Sequence, residues 1–132
     1  MSEIHIDIVT PTGIVFSGTA FSCTTPGVGG KFQVLNQHAA MISLLNLGEI
    51  KLGFKDGEKS MANSSGLLEV KDNKINILVE TAEWADKIDV ERAKAAKERA
   101  INRIENKDNI DISRAESALA RAINRIKVAS RT

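Results

Sequence analysis

Apolar and polar residues alternate along three stretches in the first two-thirds of the chain. They are "EIHIDIV" at 3–9, "EIKLGF" at 49–54 and "LLEVKDNKINILV" at 67–79. Alternation with a period of two predicts β-strands that are buried on one face. Turn-forming residues occur in "TPTG", in the "DG" at 56–57 and in the "KDNK" at 71–74. Short strands with frequent turns predict an antiparallel β-sandwich or barrel, of which we expect the sandwich.

Two stretches between these strands need separate treatment. "HAAMISLL" at 38–45 fits a strand or a short helix, and periodicity alone does not decide between them. "GVGGK" at 27–31 suggests a phosphate-binding loop, but the spacing of that motif is absent and Phe32 stands where its hydroxyl residue belongs. We therefore predict an inter-strand loop there.

From Asp89 onward the apolar period changes to alternating steps of three and four. In a second helix the apolar seam comprises Ile112, Ala115, Leu119, Ala122, Ile126 and Ala129. In a first helix it comprises Val90, Ala93, Ala100 and Ile104, with Lys97 at the central position. Asp89 and Asp111 are suited to cap the two helices. The short polar "ENKDN" at 105–109 suits an antiparallel turn. The segment predicts an antiparallel two-helix hairpin, held weakly because an alanine seam buries little apolar area.

Composition divides the chain at the same place. Residues 1–84 hold 6 Lys and no Arg against 9 acidic residues, whereas residues 85–132 hold 12 Lys and Arg against 8 acidic residues. Gly and Pro are confined to the first segment. We therefore predict a β-sandwich domain at 1–85 and a helical domain at 86–132.

Several classes of protein are disfavoured. No apolar run approaches the roughly 20 residues of a membrane-spanning helix, and the start of the chain lacks the regions of a secretory signal. A single Cys23 leaves no internal disulfide and fits a reducing compartment. His5 and His38 have no metal-ligand spacing around them, and no motif requires magnesium. We expect neither catalytic activity nor a required cofactor.

The two helices repeat each other at an offset of 22 residues. "IDVERAKAAKERAINRI" at 88–104 and "IDISRAESALARAINRI" at 110–126 agree at 11 of 17 positions. The repeat places Arg92, Arg99 and Arg103 in the first copy and Arg114, Arg121 and Arg125 at the same places in the second. Arg99, Arg103, Arg121 and Arg125 have no acidic residue three or four positions away.

Guanidinium groups without partners in their own helix suit a phosphate or an acidic protein surface. A solvated basic face with ion pairs across the hairpin is an equal alternative. Nucleic acid is disfavoured, because the total charge is near neutral and no aromatic residues accompany the arginines.

Four stretches resemble the epsilon subunit of the F-type ATP synthase, and together they span nearly the whole chain in that family's order. They are "DIVTPTGIVFSG", "GKFQVLNQHAAM", "LLEVKDNKINILVETAE" and "IDVERAKAAKERA". The most specific match is "TAE" followed by "IDVERA", which resembles the I-D-x-x-R-A motif of nucleotide-binding bacterial members. The chain departs from the family pattern G-E-x-G-x-L-P-G-H, where it has "GKFQVLNQH".

The resemblance implies a non-catalytic subunit of the central rotor stalk that couples proton flow to rotation. The sandwich is expected to bind the gamma subunit and the c-subunit ring. The hairpin is expected either to extend toward the catalytic beta subunits and restrain ATP hydrolysis, or to fold down and permit it. The expected location is the cytoplasmic face of the bacterial cell membrane, as a peripheral subunit that does not insert.

The resemblance also implies site residues. ATP is an expected regulatory ligand, bound by Glu83, Ile88, Asp89, Arg92, Ala93, Arg99, Arg121 and Arg125, and Lys31 and His38 are the expected contacts with the c-ring. Two other functions are compatible with the residues. One is a stand-alone ATP sensor whose hairpin closes on ATP, and the other is an adaptor whose hairpin is a dimerisation arm.

Overall fold

The computed structural model describes residues 2–106 and 111–131. The chain divides between Trp84 and Ala85 into two units. The first unit contains ten strands. They are β1 (Ile4–Thr10), β2 (Gly13–Ala20), β3 (Ser22–Gly27), β4 (Gly30–Leu35), β5 (Met41–Leu45), β6 (Gly48–Phe54), β7 (Gly57–Asn63), β8 (Gly66–Lys71), β9 (Lys74–Val79) and β10 (Ala82–Trp84).

The strands pair in the order β10-β7-β6-β3-β5-β8-β9-β1-β2, with β4 paired to β3 outside this path. All of these pairs are antiparallel except β1 with β9, which run parallel and place Ile6 beside Ile75 and Ile8 beside Ile77. The predicted β-sandwich is therefore confirmed, with one parallel pair in an otherwise antiparallel sheet.

Alternation along the strands fills the core. In β1, Ile4, Ile6 and Ile8 are fully buried, while the residues between them lie on the outer face and are partly exposed. The same pattern in β8 and β9 buries Leu68, Val70, Ile75, Ile77 and Val79. The period of two in the sequence therefore predicts which side chains are buried, and the burial of these aliphatic groups stabilises the fold.

Aromatic rings join the two ends of the strand order. The ring of Phe16 in β2 lies 6.0 Å from that of Phe54 in β6, and 5.8 Å from that of Trp84 in β10, both edge to face. Because β2 and β10 end the pairing path, these contacts bring its two ends together and close the sandwich around the core.

The tight turns lie near their predicted places. In "KDNK", Asp72 and Asn73 both have positive φ, at 51° and 57°, as the two central residues of a type I′ hairpin require. The "DG" signal is displaced by one residue, because Phe54 pairs with Gly57 and leaves Lys55 and Asp56 as the turn. Gly57 begins β7 with φ at 131°, which favours glycine.

The two ambiguous stretches are both part of the sheet. "HAAMISLL" contains β5 and no helix. In "GVGGK", Gly27 pairs with Gly30, so the predicted inter-strand loop is a two-residue hairpin turn at Val28 and Gly29. Lys31 and Phe32 already belong to β4, which leaves no phosphate-binding loop there.

The described residues of the second unit form a short 3-10 helix (Ala85–Lys87) and two α-helices, α1 (Val90–Asn106) and α2 (Ile112–Ala129). Helix α2 contacts both α1 and the 3-10 helix, as an antiparallel hairpin requires. The predicted turn "ENKDN" lies largely outside the described residues. Every alanine of the predicted seam is buried, namely Ala93, Ala100, Ala115, Ala122 and Ala129, whereas Lys97 in the same seam is half-buried.

Candidate functional site

The "IDVERA" stretch forms the start of α1. The Oδ1 atom of Asp89 accepts a hydrogen bond from the backbone N–H of Arg92 at 3.0 Å, which makes Asp89 the N-cap of the helix. Ile88 and Ala93 are both buried and occupy the positions on either side of the first turn that pack together in a hydrophobic staple. Three residues of this stretch therefore have a structural role in starting the helix.

The second helix starts in the same way. The Oδ1 atom of Asp111 accepts a hydrogen bond from the backbone N–H of Arg114 at 3.1 Å, and Ala115 is buried like Ala93. Ile110 lies outside the described residues. The recurrence of "ID" and "RA" in both copies thus reflects two helix starts of the same design, and the predicted nucleotide-binding role of Ile88, Asp89 and Ala93 stays a prediction.

Arg92 is not explained by the helix start. Only its backbone N–H takes part in the cap, and its side chain is exposed. A cation in the first turn is unfavourable for a helix, because the N-terminus carries a partial positive charge. Arg114 stands at the same place in α2 and is exposed too. Two arginines at positions that disfavour them indicate a use other than helix stability.

The arginines of both helices lie on one face of the hairpin. With 100° per residue, Arg92, Arg99 and Arg103 lie about 120° to one side of the seam of α1, and Arg114, Arg121 and Arg125 lie on the same side of the seam of α2. Two antiparallel helices that pack through equivalent seams are related by an approximate two-fold axis, which is perpendicular to the plane that contains both helices. A rotation about this axis exchanges the helices but not the two faces of the hairpin, so equivalent residues lie on the same face. All six guanidinium groups therefore share one face, which we call the arginine face.

The opposite face is acidic. Glu91, Glu98 and Glu105 of α1 and Glu116 of α2 lie on the other side of the seams. Lys94 lies on this face, where its Nζ atom is 3.9 Å from Oε1 of Glu91. The acidic residues therefore point away from the arginines, which explains why so few arginines have an acidic neighbour along their own helix.

Four of the predicted nucleotide-binding residues, Arg92, Arg99, Arg121 and Arg125, lie on the arginine face. The first three are exposed, whereas Arg125 is half-buried and already interacts within the chain. Arg125 thus departs from the unpartnered row that the sequence suggested. Glu83 belongs to the first unit, where it pairs with Ala62 in the sheet, is half-buried and is likewise engaged.

The two residues predicted to contact the c-ring are separated along the sandwich. Lys31 is exposed at the start of β4, and His38 follows the end of the same strand. The segment around His38 is held by Asn73, whose side chain accepts a hydrogen bond from the backbone N–H of Gln37 at 2.8 Å and donates one to the carbonyl of Glu3 at 3.3 Å. Strand β4 therefore lies between the two residues.

A polar cluster on the outer face of the sandwich contains a serine, a histidine and an aspartate. Asp7 Oδ1 accepts a hydrogen bond of 2.6 Å from the Ser17 hydroxyl and lies 3.0 Å from His5 Nε2, while Lys74 lies 3.2 Å from its other oxygen. The Ser17 bond, helped by Lys74 and His5 against partial desolvation, lowers the pKa of Asp7 to about 2. Because the hydroxyl donates to the carboxylate and not to the imidazole, the cluster does not activate a nucleophile.

Other reactive groups are equally inert in the part of the chain that the structure describes. Burial raises the pKa of the Cys23 thiol to about 12, so the thiolate is not available at neutral pH. No group of three or more metal-binding side chains is found among residues 2–106 and 111–131. Within these ranges, no helix is long and apolar enough to cross a membrane.

Comparison with known protein families accounts for both units. The family model described as ATP synthase, Delta/Epsilon chain, beta-sandwich domain matches residues 3–85, and the one described as ATP synthase, Delta/Epsilon chain, long alpha-helix domain matches residues 86–130. The chain belongs to the ATP synthase delta/epsilon family. The resemblance read from the sequence is thereby confirmed.

Curated relatives of this delta/epsilon-family chain are named ATP synthase epsilon chain. That of Desulforamulus reducens is 46% identical over 105 residues, which cover 78% of each chain. That of Staphylococcus aureus is 44% identical over 107 residues, which cover 80% of each chain. That of Exiguobacterium sp. is 40% identical over 107 residues, or 80% of this chain and 79% of the relative.

Solved structures share the fold of this family member. A chain in the mitochondrial ATP synthase of Euglena gracilis, in a structure of OSCP, F1 and c-ring, superposes with a TM-score of 0.82 at 19% identity, covering 100% of this chain and 83% of that one. A chain from the central stalk and c-ring of the Tetrahymena thermophila enzyme gives a TM-score of 0.60 at 15% identity, covering 98% and 96%.

Two members of the arginine face were missing from the predicted site. Arg103 and Arg114 lie on it but were not among the residues expected to bind nucleotide. The 22-residue repeat in this delta/epsilon-family chain contained the signal, because equivalent positions in two antiparallel helices face the same way.

Proposed function

We propose that this chain is the epsilon subunit of a rotary, proton-translocating ATP synthase, that it is not itself catalytic, and that it works in the central stalk at the cytoplasmic face of the bacterial membrane. The observation that carries the proposal is the match of both units to the delta/epsilon family in the family's order. The partners we propose are the gamma subunit and the c-ring for the sandwich, and the catalytic beta subunits for the extended hairpin.

A non-catalytic role is supported by the chemistry of the described residues. The Asp7 cluster is a set of structural hydrogen bonds, and the Cys23 thiol is buried. Coupling needs a rigid body between partners, and the closed sandwich with its aliphatic core provides one. The hydrolysis of ATP is therefore assigned to other subunits of the complex, which this chain regulates.

Regulation is assigned to the hairpin. Its seam is made of alanines, which bury little apolar area, so it is held weakly and is able to move at low cost. The arginine face supplies guanidinium groups for an anionic partner in either of two docked states. A ligand that binds one of these states better shifts the population toward it.

The proposal is tested by ATP hydrolysis in the reconstituted complex. Removing the hairpin by truncation after Lys87 leaves the sandwich complete, so the complex assembles but loses the element that restrains hydrolysis. We expect the rate of ATP hydrolysis to rise relative to the full chain. An unchanged rate with normal assembly contradicts the inhibitory role, and a full chain that fails to co-purify with gamma contradicts the assignment to the stalk.

ATP is proposed as a regulatory ligand of the arginine face, and it requires no metal from the chain. Titration of the full chain with ATP, followed by calorimetry, is expected to show binding that Arg92→Ala weakens about tenfold, the loss typical of one charge-assisted phosphate contact. Lys94→Ala is the matched control, because it removes a cation from the same helix on the opposite face. Equal weakening by both variants contradicts a site on the arginine face.

A further inference from the structure

Five apolar side chains form a continuous row across the outer face of the sandwich. The strand registers place Leu44 beside Leu67, Leu67 beside Leu78, Leu78 beside Val9, and Val9 beside Ile14. We call these five residues the apolar row. It crosses β5, β8, β9, β1 and β2, and each member alternates with core residues in its own strand, so the row lies on the side away from the core.

The apolar row is unusually exposed. Ile14 is 69% exposed, Leu44 is 63% and Leu78 is 51%, while Leu67 and Val9 are half-buried between them. Val28 extends it, since its backbone N–H donates to the carbonyl of Leu44 at 3.0 Å and its side chain is 56% exposed. Single exposed apolar residues are common on proteins, but contiguous ones in register mark a surface that another molecule covers.

The length of the row indicates which kind of element covers it. At the usual strand spacing of about 4.8 Å, five strands give a length of about 19 Å. An α-helix of about 13 residues has this length, and a helix is the element that commonly covers the face of a sheet. A depression adjoins the middle of the row, lined by Val9 and Leu78 together with Pro11, Ser65, Gly66 and Glu80. It offers a pocket for one side chain of such a helix.

The charged residues beside the row indicate the charge of the element that covers it. The next row of paired residues runs through Ile42, Glu69, Asn76, Asp7 and Ser17. Asp7 forms an ion pair with Lys74, whereas Glu69 is half-buried and has no ion pair with any described residue. Glu80 is exposed at the far side of the row. A partner that covers the row therefore gains by placing a cation near Glu69.

We infer that the apolar row is the surface on which the gamma subunit docks an amphipathic helix, with its apolar side on the row and a Lys or Arg directed at Glu69. This inference rests on the function proposed above and names the face, the element and the charge that the interaction uses. The acidic balance of residues 1–84, with 9 acidic residues against 6 Lys, favours a basic partner in the same sense.

The test is binding of the full chain to ATP synthase complex that contains gamma but has been depleted of this chain. Leu44→Glu and Leu78→Glu place a charge in the apolar row and are expected to raise the dissociation constant on the order of tenfold or more. Leu35→Glu is the matched control, in complex that has also been stripped of the c-ring, because Leu35 is 49% exposed on β4, lies outside the row and stands between the predicted c-ring contacts. It is expected to bind like the unsubstituted chain.

A second pair of variants tests the charge. Glu69→Lys is expected to weaken binding and to reverse the effect of added salt, since it replaces an attraction by a repulsion. Glu58→Lys changes an exposed carboxylate on β7 and serves as its control. Melting followed by Trp84 fluorescence confirms that each variant is folded, because Trp84 packs on Phe16 inside the sandwich.

The outcomes separate the two claims. If the unsubstituted chain does not bind the complex, the proposed function is overturned and this inference falls with it. If it binds, and the row variants bind equally well, the inference alone is overturned. If the free chain sediments as a dimer that Leu44→Glu dissociates, the occupant is a second copy of the chain, and the docking of a partner helix is overturned.

Discussion

The two units of the chain use opposite means to bury a surface. The sandwich encloses large aliphatic side chains, with Ile4, Ile6, Ile8, Leu52, Leu68, Ile75 and Ile77 among those fully buried. The hairpin buries almost only alanine, with Val128 the exception among the buried residues of α1 and α2. Full burial of an Ile or Leu stabilises by about 1.5–3 kcal/mol, several times the value for one methyl group. The sandwich is thus held together more strongly than the hairpin.

The largest expected difference appears when the units are separated. Residues 1–87 are expected to melt in one cooperative transition, whereas residues 85–132 alone are expected to be mostly unfolded, because two short helices with an alanine seam bury too little apolar area to offset the entropy of ordering. Far-UV circular dichroism of the two fragments measures this. A stable helical signal from the second fragment would break the comparison.

Filling the seam is the next largest effect. Ala100 is 2% exposed in the hairpin, so Ala100→Leu forces the helices apart at an expected cost of about 1–3 kcal/mol. The helical far-UV circular dichroism signal should fall while Trp84 fluorescence stays native. Ala95→Leu is the control, because Ala95 is exposed on the same helix. Equal loss in both variants would show that the seam is not a close approach.

Removing a helix cap should have a smaller effect, again confined to the hairpin. Asp111→Ala deletes the acceptor of the Arg114 backbone N–H, at an expected cost of about 1 kcal/mol. Amide hydrogen exchange in α2 should become faster, while exchange in β9 stays slow. Asp111→Asn, which keeps an acceptor at the N-cap, should restore most of the protection.

The smallest expected effect is a change in the acid stability of the sandwich alone. The pKa of Asp7 is lowered from 3.8 to about 2 in the folded chain, so the stabilising contribution is present above pH 4 and is lost as the pH falls through 2. Asp7→Asn should therefore reduce the acid sensitivity of the sandwich over this interval, measured by melting temperature. The helical signal of the hairpin should titrate alike in both proteins.

Local patterns predicted much of both units. The strand faces around Ile6 and Ile77 followed from alternation, and most of the hairpin seam followed from its period, including the half-buried Lys97. The prediction was wrong at Ile112, which is 40% exposed at the start of α2. The parallel pairing of β1 with β9 was not predictable, because the two strands are distant in sequence and nothing in either one specifies the other. The apolar row was missed for the same reason, since Leu44 and Ile14 become members of one row only through strand register.

The helix starts and the arginine face were predicted in part, whereas the nucleotide-binding roles stay a prediction. The residues of "IDVERA" were recognised as a motif from the sequence. The hydrogen bond from the Arg92 backbone N–H to Asp89 shows that Asp89 starts the helix, whereas the Arg92 side chain takes no part in the cap. The acidic and basic faces follow from helix geometry once the hairpin is known. The engagement of Arg125 depends on its surroundings in three dimensions, and the sequence contained no sign of it.

The parallel pairing of β1 with β9 also determines when the sheet can close during synthesis of the chain. Strand β1 leaves the ribosome well before its neighbour β9, which ends at Val79. The sheet therefore cannot close until nearly all of the first unit has been made, and contacts of such long sequence separation form slowly. Until then, Ile6 and Ile8 lack the neighbours that they have in β9, so the nascent chain is most exposed to aggregation just before the helices begin to emerge.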